Sequence, residues 1–167
     1  TGVVNVNVTL TDDGFNLVGN PYPSPISLKS LKNGNTSTIA PNFYIWNGMN
    51  YSLFNAMTNT WVNNPTSTGN DRLWHCQALY VQSLIPGNAN LEFQDSMRRT
   101  GLPARFLSES NNNLKISLKQ NEYSDEAALV VYEDADFKYD KHLDAVKFDH
   151  NFSRSLSIAT LSDDNRE

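Results

Sequence analysis

Five carboxylates fall close together at Glu133, Asp134, Asp136, Asp140 and Asp144. Hard oxygen donors from one loop suit Ca2+, which takes six to eight ligands. The spacing is not that of an EF-hand. Counting from Asp134, Lys138 stands fifth, Tyr139 stands where the sixth position needs Gly, and Ala145 replaces the final Glu. A Ca2+ site that adds backbone carbonyls to Asp134, Asp136, Asp140 and Asp144 stays open. The alternative is a solvated loop whose charges keep a sheet edge from pairing.

Other chemistry is sparser. His75 adjoins Cys76, an invitation to a Cys/His nucleophile, but neighbours on a strand point to opposite faces, and Cys76 reads better as a small buried hydrophobe. His142 and His150 are eight residues apart, no His-x-x-x-His pair occurs, and neither a Gly-x-Ser-x-Gly elbow nor a phosphate loop is present. Asp12 with Asp13, and Asp163 with Asp164, fall in turns or at the chain end, where water solvates the acids and turn formation is their role. The chain therefore reads as non-catalytic, with no cofactor required beyond the Ca2+ that the acidic loop would take.

Rings are a stronger signal. Tyr44, Trp46, Tyr51, Phe54, Trp61 and Trp74 crowd into less than a fifth of the chain. Large rings fill ordinary sandwich cores, yet flat rings also stack on sugars. Trp61 is the least committed by strand patterning and is the candidate for glycan stacking.

The elements that would hold these residues are short strands. Val4, Val6, Val8 and Leu10 alternate with Asn5, Asn7 and Thr9, the period of a half-buried strand. Asp12-Asp13-Gly14 turns the chain into a second apolar run, Phe15 to Val18. Pro21, Pro23 and Pro25 then forbid helix or central strand, and Tyr22 can cover a sheet edge from that rigid corner. Ile26 to Leu31 suits one helical turn closed by Asn33-Gly34-Asn35. Strands are predicted at Phe43–Trp46, Tyr51–Phe54, Trp61–Val62, within Trp74–Ser83, and at Leu91 and Phe93. Arg98 to Asn113 is the best linker. Beyond it, Leu114, Ile116 and Leu118 alternate with polar residues, Ala127 to Tyr132 runs apolar, Val146 and Phe148 resume strand spacing, and Leu156, Ile158 and Leu161 suggest a last strand.

Composition agrees. At 167 residues, 39% hydrophobic and 19% charged, with Asn, Thr and Ser filling the gap, the chain favours strands and turns over long helices. A net charge of −5 argues against nucleic acid, which needs a concentrated positive face. Residues 1–120 carry 8 basic and 6 acidic side chains, residues 121–167 carry 5 and 12. One cysteine allows no internal disulfide, and no apolar run approaches the length of a membrane helix. The segment starts already patterned as a strand and reads as a piece of a longer protein.

The run Gly14-Phe15-Asn16-Leu17-Val18-Gly19-Asn20-Pro21-Tyr22-Pro23-Ser24-Pro25-Ile26 resembles a motif of large secreted Bacteroidetes proteins exported by the type IX secretion system. Tyr44-Ile45-Trp46-Asn47, Cys76-Gln77-Ala78-Leu79-Tyr80-Val81, Leu91-Glu92-Phe93 with Ser96-Met97-Arg98, Tyr123-Ser124-Asp125-Glu126-Ala127 and Leu143-Asp144-Ala145-Val146-Lys147-Phe148 follow in the same order. Cys76 and Ala78 stand where those proteins usually have Met and Gly. The resemblance spans nearly the whole chain and implies a β-sandwich module upstream of a C-terminal sorting domain, at the bacterial cell surface or released from it. In the same setting Asp95-Ser96-Met97 resembles the Bacteroidetes O-glycosylation pattern, which makes Ser96 a candidate acceptor.

These readings converge on an all-β fold, an antiparallel, jelly-roll-like β-sandwich over residues 1–104 followed by a second, smaller β unit over 105–167 that continues past residue 167. The expected function is a structural or adhesion module of an extracellular surface protein, with a carbohydrate-binding accessory module of a secreted hydrolase as the alternative. Expected partners are neighbouring domains of a longer chain and glycans or cell-surface proteins, with no nucleic acid and no membrane insertion.

Overall fold

The computed structural model describes residues 2–48, 50–63, 71–100, 113–121, 123–131, 136–148 and 157–162. Strand β1 (Val4–Leu10) turns at Thr11–Gly14 into β2 (Phe15–Gly19). Asp12 and Gly14 both take positive φ, and the Gly14 N–H donates to Thr11 O at 2.8 Å. A Cβ on Gly14 would come within 2.5 Å of Leu10 Cδ1 and 3.0 Å of Ser83 O, so glycine is required there by space as well as by φ.

After the proline corner come β3 (Ile26–Ser27) and α1 (Leu28–Gly34). Ser27 caps the helix, its hydroxyl oxygen accepting from Ser30 N at 3.0 Å, and Leu28 and Leu31 point into the core. Lys32 Nζ closes the far end, donating to Thr36 O and Ile39 O. The chain continues through β4 (Ile39–Trp46), β5 (Tyr51–Asn55), β6 (Thr60–Val62), β7 (Arg72–Leu73), β8 (Ala78–Ser83) and β9 (Gly87–Phe93). A 3-10 turn at Asp95–Met97 follows, and then the hairpin β10 (Asn113–Gln120) and β11 (Tyr123–Val130).

All the pairings are antiparallel. β1 pairs with β9, β2 with β8 and β3 with β7, while the five-stranded sheet runs β2-β8-β4-β5-β6. Pairs nested in this way are those of one long hairpin rolled on itself, the jelly-roll pattern. The fold is thus all-β and sandwich-like, as the alternating sequence predicts. Between the sheets Val8, Leu91 and Phe93 meet Val18, Ile39, Phe43, Phe54, Leu79 and Val81, with Ile26, Leu31, Leu73 and Met97 closing the core. Each such side chain contributes about 1.5–3 kcal/mol through burial.

Four local expectations need correction. Cys76 is exposed and sits with His75 in the turn before β8, at φ 60°. The residues around it therefore belong to a connection rather than to a strand, which starts only at Ala78. Val146 and Phe148 share a side but form no ladder, and neither do Ile158 and Leu161; side-chain amides satisfy part of the nearby backbone instead. Leu156 lies outside the described residues. The linker reading fails at its start, because Arg99 N donates to Pro25 O at 2.8 Å and Arg98 bridges to Ile26. Residues 101–112 lie outside the described part.

Candidate functional site

The proline corner is built from its own side chains. Asn20 Oδ1 accepts from Tyr22 N at 3.0 Å, and Asn20 Nδ2 reaches Ser24 O, Leu73 O and Trp74 O. Tyr22 lies buried, its hydroxyl 2.8 Å from both Phe93 O and Gly2 O, so it does cover the end of the β1-β9 sheet. Burial chiefly, helped by the Asp95 charge, raises its phenol above the ordinary tyrosine value. The Arg98 guanidinium stands 5.7 Å from the Tyr22 ring and donates to Ser24 Oγ at 2.8 Å. The corner joins two sheets and works as a strut.

Most functional interest lies on the outer face of the five-stranded sheet. Register places Tyr44 opposite Tyr80 and Trp46 opposite Tyr51. Residues 136–148 cross this face. Phe148 stacks on Tyr44 with centroids 4.3 Å apart and planes 11° from parallel, and meets Phe15, Tyr51 and Tyr80 edge-on at 4.7, 5.2 and 5.6 Å. Burial, with Tyr139 nearby, pushes the Tyr44 phenol far above its usual value. Tyr51 is raised by burial first and then by Tyr80.

Beside these rings is a buried ion pair. Asp125 on β11 has a side chain only 1% exposed. Its carboxylate accepts from Lys147 Nζ at 2.5 Å, Ile158 N at 2.8 Å and Asn63 Nδ2 at 2.8 Å. Burial would raise its pKa, but the Lys147 ammonium and the two other donors outweigh that and hold it below the usual carboxylate value. Four stretches distant in sequence meet at one carboxylate. Next to it Glu126 Oε2 accepts from Asn63 N at 3.0 Å.

The residues singled out from sequence are dispersed differently. Asp136, Asp140 and Asp144 turn their carboxylates onto local backbone, accepting from Lys138 N, His142 N and Asp140 N respectively, each at 2.8 Å. Asp134 and Glu133 lie outside the described residues. Among the described residues no three His, Cys, Asp or Glu side chains converge as a metal set would. Trp61 falls opposite Phe54, on the core side of the sheet, with ring centroids 4.9 Å apart. Ser96 is exposed in the 3-10 turn, its hydroxyl 3.3 Å from Gln94 Oε1.

Phe148, Asp125 and Lys147 do not stand out in the sequence as site residues. The signals for them are the acidic pair Asp125-Glu126 running straight into the apolar stretch Ala127–Val130 of β11, and the two-residue spacing of Val146 and Phe148. Among the described residues no helix is long and apolar enough to cross a membrane.

Neither a curated protein nor a solved structure matches the chain. Residues 1–166 match the family described as Domain of unknown function (DUF8693). With the match running over nearly every residue, this β-sandwich chain belongs to the DUF8693 family.

Proposed function

We propose that the chain is a non-catalytic structural and adhesion module of a bacterial cell-surface protein exported by the type IX secretion system. The observation that carries this reading is the covered outer face. The rings that would form a sugar-stacking platform, Tyr44, Tyr51 and Tyr80, are packed around the chain's own Phe148, and the corner at Pro21–Pro25 braces the two sheets. Such an arrangement suits a module that bears load between neighbouring domains or against cell-surface partners. The extracellular location rests on the motif from Gly14 to Ile26, and Ser96 is accessible to a glycosyl transferase. Ca2+ at the Asp136–Asp144 turns would add stiffness, and melting with millimolar Ca2+ and with chelator measures it directly.

A carbohydrate-binding role is the second reading, favoured by one observation: Trp46 and Trp74 remain exposed. A glycan array separates the two. The structural reading expects no saturable glycan binding by the intact chain. Binding that disappears in Trp46→Ala or Trp74→Ala, or in Trp61→Ala, would replace it with the glycan reading. Protease accessibility of the parent chain on intact cells, lost when type IX export is disabled, tests the location.

A further inference from the structure

Between the outer face of β4 to β6 and the residues that cross it lies a cavity of about 470 Å3, within the 300–1,000 Å3 range of small-molecule sites. Tyr51, Leu53 and Val62 form its floor, and Leu143, Val146 and Ile158 stand over them. The polar side chains that reach it are mostly engaged already. Asn55 Nδ2 donates to Asn42 Oδ1 and Leu143 O, and Asn55 Oδ1 accepts from Met57 N and Thr58 N. Asn42 Nδ2 donates to Asp144 O, and Glu126 accepts from Asn63 N. Thr58 also lines the space, but its hydroxyl is out of reach of a water-sized molecule and has no hydrogen-bond partner among the described residues, so it gives the cavity no polar handle.

The cavity also opens on apolar surface. Phe137 and Leu161 line it while remaining 81% and 66% exposed, and clustered exposed rings and aliphatics mark contact surfaces. The geometry points to a binding site for a small, largely apolar molecule seated between the sheet and residues 136–148. A sugar does not fit this chemistry. Its hydroxyls would each need an open partner, and the walls' amides and carboxylate are engaged with one another.

The test uses the whole chain and 1-anilinonaphthalene-8-sulfonate as a fluorescent probe, with 2-naphthol, 1-decanol and cellobiose as competitors. The expected result is saturable fluorescence at one site per chain, displaced by 2-naphthol or 1-decanol and not by cellobiose. Which of the two competes better tells whether an aromatic or an aliphatic ligand is preferred. Leu53→Trp fills the floor and should weaken probe binding at least tenfold. Ala127→Phe fills the space from β11 and serves if Leu53→Trp melts abnormally. Absence of saturable binding, undiminished binding in both filled variants, or displacement by cellobiose alone would overturn the assignment.

Discussion

The two faces of the five-stranded sheet are buried by different means. The inner face meets the β1-β9 sheet, a regular ladder whose apolar side chains fill the core, with Asn35 and Tyr22 bonding its outer backbone at Glu92 and Phe93. The outer face is covered by residues 136–148 without a ladder, and sheet side chains must serve that backbone. Asn42 Nδ2 donates to Asp144 O at 2.5 Å and Asn55 Nδ2 to Leu143 O at 3.2 Å. A regular layer supplies most of its own backbone partners and packs chiefly by hydrophobic fit, whereas an irregular one needs amides beneath it.

The sharpest test of the contrast is Phe43→Ala. Phe43 is fully buried on the inner face, and removing its ring should cost about 3–5 kcal/mol, read as a lowered urea midpoint for the whole chain. A loss under about 1 kcal/mol would mean that the inner layer is not the main source of stability.

Next is Lys147→Met, which leaves the Asp125 carboxylate with two donors and no counter-charge. Breaking a fully buried pair costs about 3–5 kcal/mol. Lys147 keeps 16% exposure, and water screening brings the expectation to about 2–3 kcal/mol. The loss should be local: hydrogen exchange speeds up in β11 and 143–148 while β1 and β9 stay protected. Acid probes the same node. The folded Asp125 pKa lies below the ordinary value near 3.9, so its contribution is complete above about pH 4 and disappears as the pH falls through the folded value. Wild type should therefore release this layer in acid before the sandwich melts, and Asp125→Asn should show less of that early step.

A smaller effect is expected from Asn55→Ala. It leaves Leu143 O and the N–H groups of Met57 and Thr58 without their partner, about 1–2 kcal/mol. Faster exchange at Thr58 and at residues near Leu143, with β9 unchanged, is the signature. Equal loosening of both layers would erase the distinction between them.

The inner layer is legible in the sequence because its information is local. Val4 to Leu10 declares its faces by period two, Asp12-Asp13-Gly14 declares its turn, and the prolines at 21, 23 and 25 declare a corner. β3 and β7, two residues each, carry too little periodicity to be seen. The outer layer depends on pairings between distant residues: Asp125 with Lys147, Phe148 with Tyr44, Asn42 with Asp144. Composition reads asparagine as a turn residue, and some of these asparagines are turn residues. Asn35, however, spans from Leu31 O to Glu92 O, and single-sequence spacing has no signature for a cross-link of that length. Cys76 misleads for the same reason, since local apolarity suggests a strand where distant pairing starts only at Ala78.

The least effect is expected at β10, whose residues 114–120 all remain exposed. Leu114, Ile116 and Leu118 alternate on one side of β10 and remain exposed, with Leu114 at 58%. Among the described residues β10 is bonded only to β11, so its apolar side chains exclude little water and the cross-strand pairs Leu114–Leu129 and Ile116–Ala127 carry what stability it has. Such pairs contribute about 0.2–1 kcal/mol each. Ile116→Thr preserves the β-branched shape that suits a strand, so the change in unfolding free energy should stay within about 0.5 kcal/mol. Hydrogen exchange should report a hairpin that opens far more readily than β1 and β9 in wild type and variant alike. A loss of about 2 kcal/mol or more would be the cost of uncovering a packed side chain, and the hairpin would then belong with the inner face as a region whose apolar surface has a layer against it.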